Sequence, residues 1–388
     1  MTATACPIKT TTFFQLLNQT PDLDLRDNRG KPVRRCGHSL ALVLTGLVAA
    51  LGCGRDGNLS RLHRHMTNHF EPLPEAVQLT DHKVVSRAQL PVLLAKVNGV
   101  CFAHILFEWF GFLLDKDHKR WFSVDGKELR GSIQPGHTRG QVCVSAVAHQ
   151  SQQIVGQSFY CGSKESERPA VAHLIEDQDL AHQKLSLDAL HLIPSTLTLI
   201  HTGGGQYVVG LKPNQAHLYR SCTLKDLFET ADYERVDAKV KKHGRVEQRR
   251  YRSFTLRTCW VALRRQKAGL CTLLCVVRSR ANSGVMSEEV SYYVSNQAVS
   301  NQAQADELFD AIRGHWVVEV MHHKRDVSLS EDALRTGKVA VSRMIGSLRT
   351  LVVNLLESLK VKNMAAQLDT FADDFTTLIQ FLTQQMVL

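Results

Sequence analysis

The sequence predicts an α/β fold in which a mixed-sheet core carries a β-rich insertion, with helical segments at both ends. Three observations predict it. Helical apolar spacing up to about residue 95 gives way at Arg120 to short runs of strand character. Strand and helix patterns then alternate as far as Gln215, the order of a sheet with crossover helices. Period-two alternation returns over residues 231–298 and interrupts that order before helices resume at Gln304.

The elements follow in chain order. A polar entry at residues 21–31 leads to an apolar block at 40–51, closed by Gly52, Gly54 and Arg55. That block is short for a bilayer span, and it lies too far from the N-terminus, behind Arg34, Arg35 and His38, for a secretory signal. It reads as a buried helix. Further helices are expected at 61–69 and 86–97. Residues 121–129, 141–148 and 154–160 are β-rich runs separated by Gly or polar turns, which predicts an antiparallel meander. A helix at 167–175, a strand at 184–187 ending on Asp188, a helix at 195–202 stopped by Gly203-Gly204-Gly205, and a strand at 207–211 complete the core. Within the insertion, residues 245–254, 258–263, 272–277 and 290–294 alternate as strands. The last helices run through Ile312, Trp316 and Val320, whose spacing predicts an apolar stripe on the core, then through 339–359 and 371–388. Four units result: a helical segment 1–115, the first part of the core 116–230, the insertion 231–300, and the closing helices 301–388.

Composition narrows the class. Of 388 residues 44% are hydrophobic and 22% charged, enough apolar matter for a sizeable core. The net charge of +10 favours a polyanionic partner, with nucleic acid first, because Lys and Arg release condensed counterions from phosphates. The ten cysteines include no Cys-x-x-Cys pair and read as reduced core thiols, not a disulfide framework. His63, His65 and His69 lack an accompanying cysteine or carboxylate pattern and read as a polar helix face. The expected setting is the cytoplasm, without membrane contact.

Chemistry concentrates at two places. In Phe122-Ser123-Val124-Asp125-Gly126-Lys127 and in Leu185-Ser186-Leu187-Asp188 an apolar strand delivers a single carboxylate, which suits a hard cation bound by oxygen. Two such aspartates suggest metal-dependent phosphoryl transfer. Taken singly, each is more often a turn residue. The densest basic run, with Lys239, Lys241, Lys242, His243, Arg245, Arg249, Arg250 and Arg252 interleaved with strand residues, is expected to track a DNA backbone along one face, the alternative being a solvated hairpin. Arg26, Arg29, Lys31, Arg34 and Arg35 form a second basic group near the start.

The order of three strands, helix, strand, helix, strand, helix is that of a ribonuclease H-like domain. Several runs then resemble, in order and spacing from about residue 24 to 355, the DDE insertion-sequence transposases of the H-repeat-associated type. They are Arg26-Asp27-Asn28-Arg29-Gly30-Lys31, Val124-Asp125-Gly126-Lys127 with Leu129-Arg130-Gly131-Ser132, Ser186-Leu187-Asp188-Ala189, Gly210-Leu211-Lys212-Pro213-Asn214-Gln215, His243-Gly244-Arg245-Val246-Glu247 and His315-Trp316-Val317-Val318-Glu319. The resemblance implies an acidic triad of Asp125, Asp188 and Glu319 holding two Mg2+ ions, with Mn2+ as a substitute. It implies cleavage and strand transfer on double-stranded DNA with terminal inverted repeats and on target DNA, by a homodimer at the bacterial nucleoid. Lys127, Arg130, Lys212, Asn214, Gln215 and Arg325, with Lys241, Lys242, Arg245, Arg249 and Arg250, are the expected DNA contacts. After Glu319 the chain departs from the family pattern, with Val320 in place of an asparagine and one residue fewer before Arg325-Asp326-Val327. A catalytically silent DNA-binding relative, or a nuclease without strand transfer, is the alternative reading.

Overall fold

The structure is a computed structural model that describes residues 12–19, 39–54, 58–77, 83–110, 114, 117–161, 167–242, 244–256, 267–282 and 285–383. The basic group at residues 26–35 and the expected strand at 258–263 lie outside them.

Helices α1 (Phe13–Gln19), α2 (Leu40–Gly52), α3 (Leu59–Asn68), α4 (Pro72–Ala76), α5 (Leu90–Leu94) and α6 (Gly99–Trp109) come first. Only Leu90–Leu94 of the helix expected at 86–97 is helical. Ser39 caps α2 by accepting from the Leu42 amide at 3.3 Å, and every residue of α2 after Leu40 is buried. A helix apolar on all sides has to be enclosed.

Strands β1 (Trp121–Leu129), β2 (Gln141–Ala148) and β3 (Ile154–Cys161) form the expected antiparallel meander. Helix α7 (Glu167–Asp177), β4 (Lys184–Leu187), α8 (Pro194–Thr202), β5 (Gln206–Leu211) and α9 (Ala216–Phe228) follow, with β4 parallel to both β1 and β5. The insertion contributes β6 (Tyr233–Val236), β7 (Val240–Lys242), β8 (Arg245–Thr255), β9 (Thr272–Asn282) and β10 (Val285–Ser295). Its strands extend the core sheet, because β10 lies antiparallel to β5. Among the described residues one ten-stranded mixed sheet results, in the order β3-β2-β1-β4-β5-β10-β9-β8-β6 with β7 on β8.

Alternation along the strands divides the side chains between two layers. Phe122 and Val124 join a core with Val171 and Leu174 of α7, Leu197 of α8 and Leu218 of α9. On the other face Val208 and Tyr251 pack under α10 (Gln302–Gly314), and Val147 and Ile154 under α11 (Trp316–Val327) and α12 (Val339–Ser358). The chain closes with α13 (Met364–Asp373) and α14 (Phe375–Thr383), and α2 and α12 share one hydrophobic core with them. Helix α12 is long and apolar enough to cross a membrane, yet most of it is buried inside this fold. Its Asn354 takes the place of a strand neighbour, accepting from the Ile154 amide at 2.7 Å and donating to its carbonyl at 2.8 Å.

One expectation is corrected. Trp316 and Val320 are 51% and 45% exposed, and the residues of α11 that face the core are Val318, Met321 and Arg325. The chain breaks between α10 and α11 at Gly314-His315, so Ile312, Trp316 and Val320 never share one helical stripe. The break is held in place. A methyl group on Gly314 would stand 2.1 Å from His149 Nδ1, and its carbonyl accepts the Ser123 hydroxyl at 3.1 Å.

Candidate active site

Backbone pairing sets the first two carboxylates side by side. Val124 pairs with Leu187 in the parallel β1–β4 register, so Asp125 and Asp188 are the next residue on each strand. Adjacent strands lie roughly 4.8 Å apart. After Leu187 the chain leaves the sheet through a short turn, Ala189–His191, while β1 runs on to Leu129. The pair lies at the carboxyl end of β4, where ligands enter open α/β sheets.

The third residue comes from α11. Three contacts lay the α10–α11 junction and α11 along β1: Ser123 with Gly314, Asp125 with His322, and Lys127 with Asp326. His315, Glu319, His322 and Asp326 are spaced four, three and four apart and so share one helical face. Glu319 therefore lies on the strip facing the aspartate pair, at its exposed margin. It does not close onto the pair. Among the described residues no three His, Cys, Asp or Glu side chains are gathered tightly enough to hold an ion.

The two aspartates differ electrostatically. Burial, and then the nearby Glu167 carboxylate, push Asp125 from 3.8 up to about 7. Burial acts in the same direction on Asp188, but the Ala189 amide and the Lys212 ammonium outweigh it and hold that carboxyl below its usual range. Lys212 Nζ stands 3.2 Å from Asp188 Oδ1. Burial, reinforced by the Arg325 charge, pushes His322 down to about 3, so the imidazole 3.8 Å from Asp125 is neutral and too distant for a hydrogen bond. His315 is likewise held low by burial, and its Nδ1 meets Ser186 at 3.2 Å.

Of the expected DNA contacts, two are corrected. Arg325 is 1% exposed and forms a buried pair with Glu331, with Thr350 Oγ1 and the Gly346 carbonyl accepting two further hydrogen bonds. It anchors α11 to α12 and cannot reach DNA. Lys127 is mostly buried and is held by Asp326 at 2.7 Å, with Asp332 beyond it. Gln215 is partly buried and donates to the Leu192 carbonyl at 3.4 Å. Arg130, Lys212 and Asn214 are exposed, with Lys212 beside Asp188 and Arg130 beside Asp332.

The basic run of the insertion splits over both faces of β8. Arg249 shares the face of Tyr251 and α10, where it pairs with Glu247, and Arg245 follows the same parity. Arg250 and Arg252 take the α9 face, where Asp226 holds Arg252 at 2.9 Å. Lys241, Arg245 and Arg250 are exposed, and Lys242 pairs with Arg245 in the β7–β8 ladder.

Residues the sequence did not reveal crowd the same place. Glu167 is buried at the start of α7, where it accepts from Tyr160 at 3.0 Å and bonds His191 at 3.1 Å. Its only sequence signal is an acid in a first helical turn, common to many helices. The His63, His65 and His69 group lies elsewhere, with the rings of His65 and His69 packed against Phe375.

No family model matches the chain. It is 25% identical over 280 residues to the putative transposase YncI of Escherichia coli O157:H7, which covers 69% of this chain and 70% of that protein. It is 25% identical over 290 residues to the putative protein YbfL of Escherichia coli K12, covering 72% and 74%. The H repeat-associated putative transposase YbfD of the same strain matches at 25% over 224 residues, 55% of this chain and 84% of that protein. By sequence, the chain is a relative of the H-repeat-associated transposases.

Proposed function

We propose that the protein is a DDE transposase with a ribonuclease H-like core, cutting double-stranded DNA at the terminal inverted repeats of an insertion sequence and joining the ends to target DNA. The β1–β4 register carries this reading, since it sets Asp125 and Asp188 next to each other at the carboxyl end of a parallel strand. The strand order β3-β2-β1-β4-β5, parallel at its centre, supports the same core.

The donor set fits magnesium or manganese: oxygen ligands only, with a carboxyl at Asp125 whose raised proton affinity a cation would relieve. Asp125 and Asp188 would hold two ions, with Glu319 as the third ligand. When bound, the ions activate the attacking oxygen and stabilise the leaving one. Asp188 is already ionised and Lys212 balances its charge until DNA arrives. Exposed Arg130, Lys212 and Asn214 would meet the phosphate backbone, with Lys241, Arg245 and Arg250 contacting DNA further along the sheet. The working form is a homodimer on paired element ends, at the nucleoid of a bacterial cytoplasm.

The test is cleavage and joining of a labelled terminal-repeat duplex with magnesium, manganese or chelator, using wild type and the Asp125→Asn, Asp188→Asn and Glu319→Gln variants. Cleavage and joining are expected with either metal and none with any variant. Undiminished cleavage in chelator refutes the metal mechanism. Cleavage without joining selects the nuclease reading.

A further inference from the structure

Behind the aspartate pair, on the opposite face of the sheet, lies a buried carboxylate for which the proposed chemistry has no role. Glu167 is 7% exposed, at the first turn of α7. Three elements converge on it. Tyr160 from β3 donates its hydroxyl to Oε2 at 3.0 Å. His191, wholly buried at the end of the turn that begins with Asp188, places Nε2 at 3.1 Å from Oε1. From β1, the backbone of Gly126 approaches so closely that an added methyl would stand 2.9 Å from Oε2. Real Cβ atoms essentially never come that near, so the residue after Asp125 has to be glycine as long as Glu167 keeps this place.

These contacts reach both members of the pair. His191 stands three residues after Asp188, and the turn is closed by its amide on the Asp188 carbonyl at 3.0 Å. Gly126 directly follows Asp125. We propose that Glu167 is a positioning residue for the carboxylate pair, holding the Asp188 turn through His191 and the Asp125 strand position through its contact with the Gly126 backbone. The inference rests on the catalytic reading of Asp125 and Asp188. A side chain held this rigidly behind the reacting groups fixes their separation, and small errors in such separations are costly to catalysis.

Positioning by hydrogen bonds can be separated from an effect of charge. Glutamine keeps the shape and can still accept from His191 and bond Tyr160, whereas alanine keeps neither. Terminal-repeat cleavage in full-length Glu167→Ala is expected to lose at least tenfold in kcat at unchanged KM for DNA. Manganese binding without DNA, followed by electron paramagnetic resonance, should weaken in the same variant. Glu167→Gln should restore most of both. Equal damage from Gln and Ala overturns the proposal in favour of a charge role, and wild-type behaviour of the alanine variant overturns it outright. If Glu167→Ala does not fold, Gly126→Ala drives a methyl against the carboxylate and is expected to show the same loss in kcat at unchanged KM; wild-type kcat there overturns the proposal. Asp188→Asn is run alongside. If it too cleaves and binds manganese normally, the catalytic reading has failed and the proposal falls with it; if it is dead while Glu167→Ala is normal, only the positioning role fails.

Discussion

Replacing Asp125 with asparagine should stabilise the metal-free protein above neutral pH, by an amount that follows from the site. In the unfolded chain this carboxyl titrates near 3.8, and in the fold burial and then Glu167 push it to about 7. A group with its folded value above its unfolded one contributes stability that is complete below the unfolded value and lost as pH rises through the folded value. Wild type therefore weakens across that interval, while asparagine, which has no proton to lose, does not. Each pH unit is worth about 1.4 kcal/mol, which sets a ceiling of about 4 kcal/mol. The side chain keeps 29% of its surface in water, and screening brings the expected difference to about 2 kcal/mol. Urea unfolding in chelator measures it. The advantage of the variant over wild type should grow from about pH 4 to about pH 7 and then level off. Magnesium at alkaline pH should close the gap by stabilising wild type alone. A difference independent of pH, or a variant less stable than wild type under alkaline conditions, refutes the reasoning.

The remaining predictions concern the frame around the pair. Arg325→Met removes the closer of the two arginines beside buried Glu331, leaving Arg349 at 4.0 Å, and should cost about 3 kcal/mol in denaturant unfolding, while the salt dependence of DNA binding, measured under folding conditions, stays unchanged. Replacing Lys241, Arg245 and Arg250 with alanine should flatten the log-log salt slope of DNA binding by about 0.9 for each phosphate that the variant no longer neutralises; Arg252→Ala, whose side chain Asp226 already holds, should leave it alone. Gly314→Ala forces a methyl group into His149 and should lower stability by about 1–3 kcal/mol, read from the thermal midpoint.

How far the fold could be read from the sequence depended on what sets each element. The strands at 121–129, 141–148 and 184–187 match their expected bounds because β-rich composition and the polar or glycine residues at their ends are local signals. Strand alternation, followed into Lys239 to Arg252, already implies that alternate positions of the basic run must part to two faces of a sheet. Helix 86–97 shrank to a single turn, since its apolar residues Leu90, Leu93 and Leu94 are all buried within five positions and nothing beyond them needs helical spacing.

The candidate site divides along the same line. Asp125 and Asp188 were legible because each ends or interrupts an apolar strand, and the pairing of those strands is enough to bring them together. Glu319 depends on where a helix docks. That is set by Gly314 against His149 and by Arg325 against Glu331, contacts between residues remote in sequence or charges that look like solvent-facing ones in a linear chain. Glu167 was least legible of all: its burial is satisfied by a tyrosine seven residues before it and a histidine twenty-four after it, and no spacing rule links the three. Residues placed by backbone register can be predicted from a strand pattern, whereas those placed by packing from behind a sheet cannot. A polar group buried without a partner is costly, and here the partners come from β3 and from the turn after β4, which only the folded chain brings against α7.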